Sequence, residues 1–215
     1  MPNHGISEAV IKRLPRYYRY LNDLSEQGVE RISSAELSKI MKVTASQIRQ
    51  DLNHFGGFGQ QGYGYNVRSL YEEIGKILGL DKAQTMMIVG AGRLGQALAN
   101  YVRFEKRGFR VIGIFDSNPE LIGSTVRQCT IQSASELTAF LDNNHVDIVT
   151  LAIPRKDAPD LARMVTEHGV QAIWNFTPVD LNLYLPENVV VENVHLSESL
   201  MKLSCDLQRI REKDS

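Results

Sequence analysis

Apolar positions recur at helical spacing through the first third of the chain and in short uninterrupted runs after it. Val10, Ile11, Leu14, Tyr18, Leu21 and Leu24 form one stripe. They predict a helix from Ser7, its cap, to Gln27, with Gly28 ending it and Pro15 bending it or splitting off a first turn. Ser33 with Glu36 and Thr44 with Gln47 read as two capping boxes. They open a short helix over Ser34–Met41 and a second running to about Phe55, joined by Lys42-Val43. Two helices joined that tightly form a helix-turn-helix candidate, the second being the reading helix. Ile48, Leu52 and Phe55 share its apolar face, leaving Ser46, Gln47, Arg49, Gln50 and Asn53 to reach base edges and phosphates. Five glycines between Gly56 and Tyr65 exclude helix and, with aromatic neighbours, suit a β-wing whose tip enters a groove. Gln60, Gln61 and Tyr63 are its candidate DNA contacts. Asn66–Leu80 reads as a connecting helix.

From residue 85 the pattern changes to buried strands alternating with helices. Thr85–Val89 is an apolar run followed at once by Gly90-Ala91-Gly92-Arg93-Leu94-Gly95, and Gln96–Phe104 continues as helix. This places G-x-G-x-x-G between strand and helix, where it cradles a dinucleotide. Gly90 permits the tight turn, Gly92 lets backbone approach a pyrophosphate, and Gly95 lets helix pack on strand, with the helix N-terminus towards the negative charge. Arg110–Phe115 predicts the second strand. Asp116 closes it, placed to grip the adenine ribose and to repel a 2′-phosphate, which favours NAD(H) over NADP(H). Further strands are expected over Asp147–Ile153, Gln171–Trp174 and Asn188–Val194, with helices over Asp157–His168 and Ser197–Arg211. The alternation implies a doubly wound parallel sheet whose carboxyl edge, where ligands bind, carries Pro154 and the Asn175-Phe176-Thr177-Pro178 loop.

Composition changes this picture little. The 215-residue chain suits two domains, and no apolar run is long enough to span a membrane. The N-terminus lacks a secretory signal, so a cytoplasmic location is expected. Cys129 and Cys205 show no metal-ligand spacing and read as buried thiols; no metal site is expected. Net charge is −1, yet residues 1–68 carry +3 and the remainder −4, the asymmetry expected if the first third alone meets phosphate. Of His4, His54, His145, His168 and His195, only His195, after a strand, could serve near a nicotinamide, and no stretch remains for a substrate domain. The cofactor therefore reads as a signal rather than a reactant. An NAD-dependent oxidoreductase with an accessory DNA-binding domain stays as the alternative, and a coenzyme A-binding regulator as a third reading that Asp116 disfavours.

Along nearly its whole length the sequence resembles the Rex family of bacterial redox-sensing repressors. The resemblance rests on Arg13-Leu14-Pro15 with Tyr17-Tyr18-Arg19, Ser33–Leu37, Ile48–Leu52, Gly62–Tyr65, Gly90–Gly95, Asn175-Phe176 with Pro178, and Val191–Val194. It implies a winged-helix domain over 1–82, a Rossmann domain over 83–196 and a C-terminal helix over 197–215 swapped towards a partner in a homodimer. It further implies binding to inverted-repeat operator DNA in the NAD+ or free state, release by NADH, and control of NADH-reoxidising genes. Three positions depart from the common family pattern: Gln50 replaces a lysine, Gln61 a wing arginine and His195 an aspartate. In the family that aspartate switches between the residues matching Arg19 and Tyr101. An imidazole there accepts a hydrogen bond when neutral and repels Arg19 when protonated.

Overall fold

The computed structural model describes residues 6–53, 59–60 and 64–213. The chain divides into two compact units, Met1–Lys82 and Ala83–Ser215.

In the first unit the opening stripe forms two helices, α1 (Glu8–Ile11) and α2 (Leu14–Glu26), rather than one. Pro15 takes a first-turn position of α2, where its missing N–H is not needed, so a new helix starts there. After β1 (Arg31–Ile32) come α3 (Ser34–Met41) and α4 (Ala45–Asn53). The Ser33–Glu36 capping box is complete, and Lys42 ends α3 in the left-handed region at φ 51°, turning the chain into α4. The Arg16 guanidinium donates to the carbonyl of Met41 at this turn. Next, β2 (Gly59–Gln60) and β3 (Gly64–Asn66) join β1 in an antiparallel sheet ordered β1-β3-β2, and α5 (Val67–Ile77) follows, capped by Asn66. Leu14, Tyr17, Leu21, Leu37, Ile48, Leu52, Leu70 and Ile74 close the core between the helices. Helices α2, α3 and α4 with the small hairpin sheet make a winged helix-turn-helix.

The second unit begins with β4 (Gln84–Val89), α6 (Arg93–Ala99), α7 (Arg103–Lys106) and β5 (Phe109–Asp116). The single helix expected after the glycines is broken at residues 100–102; the Gln96 carbonyl accepts from both the backbone N–H (3.0 Å) and the side-chain amide (2.9 Å) of Asn100, at the C-cap of α6. Residues 117–146, to which the sequence pattern assigns no element, form β6 (Thr125–Val126), β7 (Cys129–Ser133) and α8 (Leu137–Asn143). Then come β8 (Ile148–Leu151), α9 (Ala158–Glu167), β9 (Ala172–Asn175), β10 (Val190–Asn193) and α10 (Leu196–Lys213). The sheet runs β10-β9-β8-β4-β5-β7-β6, parallel except for β6. The six parallel strands taken in chain order give 3-2-1-4-5-6, the Rossmann order, with its switch point between β4 and β8.

One face of the sheet is sealed by α8 and α9 through Met87, Val89, Val149, Leu151 and Ile173. On the other, α6 covers Ile88 and Ile114 through Ala99. Towards β9 and β10 that second face meets, among the described residues, Phe104 of α7 and Arg107, leaving an apolar groove of about 310 Å³ lined also by Met86, Phe109, Trp174 and Val190. Helix α10 buries none of its described side chains. Its Leu196, Leu200, Leu203, Leu207 and Ile210 follow the 4-3-4-3 spacing of a heptad seam and are all exposed. Cys205 on this helix is exposed, against the expectation of a buried thiol; Cys129 is half-buried, and burial pushes its thiol up.

Candidate functional site

Each unit carries one half of the chemistry. In the first, α4 presents Ser46, Arg49 and Gln50 to solvent, with Arg49 Nη1 3.2 Å from the Ser34 hydroxyl it donates to. Gln47 behaves differently from its expected role. Its backbone N–H donates to Thr44 Oγ1 at 3.1 Å, but its side chain turns along the helix to Asp51 Oδ1 at 2.8 Å. The second capping box is thus half formed, and one N–H of the Gln47 amide donates within the protein. Gln60 lies in β2, while Gln61, Tyr63 and Phe55 fall outside the described residues.

Asp51 is a buried acid whose partners the sequence does not reveal. It is wholly buried, and its carboxylate takes a two-pronged contact from Arg13 (Nε to Oδ2 2.8 Å, Nη2 to Oδ1 2.7 Å). The Tyr17 hydroxyl adds a bond at 2.9 Å and Gln47 the fourth. Burial alone would raise the acid's pKa. The hydrogen bonds from Arg13, Gln47 and Tyr17, with the arginine charge, outweigh it and hold the carboxyl below its ordinary value. Burial pushes Tyr17 up, so it stays a donor. A fully paired buried acid fixes the reading helix to α2 in one orientation.

In the second unit the glycine loop has one open place and two closed ones. Gly90 sits at φ 99°, and a Cβ there would meet the Ala152 carbonyl oxygen at 2.3 Å. A Cβ at Gly95 would lie 1.8 Å from the Gly90 oxygen, whereas one at Gly92 meets nothing within 4 Å. Gly90 and Gly95 therefore shape the loop, and Gly92 borders free space. The Gln96 amide donates to the Ala91 carbonyl at 2.8 Å and holds the turn. Asp116, ending β5, accepts from Ala91 N at 2.5 Å and from Asn118 N at 2.8 Å, so the carboxylate lies under the loop.

Arg93, Leu94 and Pro154 are exposed around this crevice. Phe176 packs on Trp174 (4.6 Å between centroids), Trp174 on Phe104 (5.5 Å) and Phe104 on Tyr101 (4.7 Å). This run of four rings connects Tyr101 to the carboxyl edge. Asn175 lies at the expected edge but is completely buried, with its side chain bonded within the protein.

Arg19 belongs to the first unit, where it stacks on Tyr20 at 5.1 Å; Tyr101 and His195 belong to the second. His145 and His168 precede β8 and β9, at the amino edge away from the crevice, where His145 meets Asp147 and His168 meets the Met164 carbonyl. The latter is half-buried rather than fully solvated. Among the described histidines only His195 stands at the carboxyl edge. No helix among the described residues is long and apolar enough to cross a membrane, and no cluster of His, Cys, Asp or Glu there could hold a metal ion.

Known proteins match both halves. A family model described as "Putative DNA-binding protein N-terminus" covers residues 5–53, and one described as "CoA binding domain" covers 81–179. The chain is 55% identical over 199 residues to the redox-sensing transcriptional repressor Rex of Caldanaerobacter subterraneus subsp. tengcongensis, spanning 93% of this chain and 88% of that protein. It is 54% identical over 202 residues to that of Clostridioides difficile, spanning 94% and 95%. Among solved structures it resembles RSP in complex with β-NAD+ and operator DNA (TM-score 0.90, 53% identity, covering 97% of this chain and 95% of that one). It also resembles RSP in complex with β-NADH (TM-score 0.88, 49% identity, 99% and 100%). RSP is itself described as a Rex-family repressor. A winged helix and a Rossmann sheet in one chain, with more than half the residues shared over nearly the full length of such relatives, have one reading: the chain belongs to the Rex family of redox-sensing transcriptional repressors.

Proposed function

We propose that the chain represses transcription from inverted-repeat operator DNA, that its Rossmann unit binds NAD+ and NADH, and that NADH releases it from the operator. The carrying observation is the glycine loop, closed at Gly90 and Gly95 and open at Gly92, with Asp116 beneath it at the switch point of the sheet. In this reading the backbone of residues 90–95 holds the pyrophosphate and Asp116 takes the ribose hydroxyls, while Pro154 and Phe176 border the nicotinamide end. Coenzyme A shares the pyrophosphate but carries a phosphate on its ribose, which the Asp116 carboxylate repels. The cofactor is a signal, not a reactant, and the protein acts in the cytoplasm on genes whose products reoxidise NADH. RSP has been crystallised with NAD+ and operator DNA and also with NADH, and this pair supports the reading. The heptad seam of α10 and the groove beside Trp174 supply two apolar surfaces for a second copy of the chain, which supports a homodimer with α10 exchanged. Fluorescence anisotropy on a palindromic operator, titrated with NADH, NAD+ and coenzyme A, tests all of this. Release by NADH alone is expected, and release by coenzyme A, or turnover of an alcohol or hydroxy acid, would refute it.

Two results should follow at the DNA. Arg49→Ala is expected to weaken operator binding by about 1–3 kcal/mol, concentrated at one base pair if the guanidinium reads guanine. Loss spread evenly over sequences, with a shallower salt dependence, would assign it to phosphate. Gln50 pairs best with adenine, so selection from randomised half-sites should yield an A·T pair where lysine-bearing relatives take G·C. A retained G·C preference defeats that assignment.

A further inference from the structure

The carboxyl edge and the start of α10 are tied together by a chain of side-chain bonds. Asn175 and Asn193 occupy paired register positions at the ends of β9 and β10. The two N–H groups of the Asn175 amide donate to the Val179 carbonyl and to Asn193 Oδ1, each at 2.7 Å. Its oxygen accepts from the Thr177 N–H and hydroxyl, at 3.0 and 2.7 Å. Asn193 in turn donates to Asp180 Oδ1 at 3.0 Å, and that oxygen also accepts from the backbone and side chain of Asn182. A main-chain bond of 2.7 Å from Val194 N to the Asn175 carbonyl completes the clamp. Every hydrogen-bonding site of the Asn175 amide is filled, which leaves it one orientation.

The position of this network gives it a consequence. It spans the loop from Phe176 to Asp180, at the edge where ligands bind in open α/β sheets. Its other end, Asn193, lies three residues before Leu196, where α10 starts. Strand β10 is an edge strand paired only with β9, so it can shift without breaking other ladders. The described side chains of helix α10 are exposed, so little packing among the described residues resists that shift. We propose that Asn175, Asn193 and Asp180 are positioning residues that convert occupancy of the Phe176–Pro178 loop into the direction of α10. The proposal rests on the reading of this edge as the NADH site and of α10 as the element carrying the signal onward. None of the three residues needs to touch the nucleotide.

The readout is the coupling ratio, operator affinity without NADH divided by operator affinity at saturating NADH. By linkage the same ratio separates NADH affinity off and on DNA. Asn193→Asp sets one carboxylate against another at Asp180 and breaks the link. It is expected to lower the ratio by about tenfold or more, while NADH affinity off DNA stays within roughly threefold. Quenching of the emission of Trp174, the one tryptophan, reports that affinity. Asp180→Asn keeps an amide oxygen where Asn193 and Asn182 donate and should hold the ratio, which separates loss of the link from loss of charge. A folded Asn193→Asp that keeps the wild-type ratio, or a folded Asp180→Asn that loses it, overturns the relay. Should Asn193→Asp not fold, Asp180→Ala, at an exposed position, removes the same acceptor and the ratio decides in the same way. Failure of the underlying reading shows elsewhere, as a wild-type protein whose operator affinity ignores NADH.

Discussion

Gly92→Val is expected to give a folded, operator-binding protein that no longer answers NADH. A side chain at this position meets nothing within 4 Å, and the backbone there, at φ −67°, suits any residue, so the substitution does not disturb the fold. The branched side chain instead fills the space a pyrophosphate must enter. Overpacking of about 1–3 kcal/mol, together with lost backbone contacts, lowers nucleotide affinity by roughly ten- to several-hundredfold. Trp174 quenching measures that loss, and anisotropy on the operator should show unchanged grip at all NADH concentrations. Release at wild-type NADH levels would mean that the loop is not the sensor. Gly95→Ala provides the contrast: its Cβ, 1.8 Å from the Gly90 oxygen, forces the loop apart and damages the whole unit.

The second large effect is expected from Asp51→Ala. Removing the acid strands the Arg13 guanidinium and the Tyr17 hydroxyl beside a buried hole. Breaking a buried pair this way costs about 3–5 kcal/mol, and the partial exposure of Arg13 places this case at the lower end. Operator binding should be lost and the first unit should melt earlier, with nucleotide binding retained in the second. The pH dependence has a defined sign. Because the folded-state pKa lies below the ordinary value near 3.8, the pair stabilises fully above that value and loses its contribution as pH falls through the lower, folded one. Thermal melts followed by circular dichroism should therefore show wild type holding this stability from neutral pH down to about 5. Asp51→Asn should lack that acid-dependent component, and identical acid profiles for the two would show that the carboxylate is not what fixes α4.

Much of this was legible in the residues, for physical reasons that differ between elements. The glycine motif carries its structure locally: strand, turn and helix are contiguous, and Asp116 ends the next strand. The Ser33–Glu36 box likewise needs only four residues. Proline's demand for a first-turn position explains the division of α1 from α2, but the choice between bending and splitting depends on packing. The break after Ala99 falls at an asparagine C-cap inside an apolar stretch, which spacing does not reveal. Residues 117–146 carry the two-residue β6 and, in Cys129–Ser133, a strand of mixed polar and apolar residues with no apolar run to mark it. Long-range pairs are a harder matter. Arg13 and Asp51 lie 38 residues apart, and Asn175 and Asn193 18, so only the folded chain shows that they meet. Gln47 and Asp51 lie only four residues apart, and their bond depends on Arg13 and Tyr17 turning the Asp51 carboxylate inward. The heptad of α10 was present in the sequence and is meaningful only once the helix is seen to bury nothing of its own.

That exposed seam bears on how much of the protein a cell must make. If two chains must meet to cover Leu196, Leu200, Leu203, Leu207 and Ile210, the competent species forms by a second-order step, and operator occupancy at low abundance rises with the square of chain concentration. Dilution, as at cell division, would then lift repression even with the nucleotide ratio held constant. The genes under control would respond to repressor dosage as well as to redox state, and an operator present in many copies could empty the pool that represses the others.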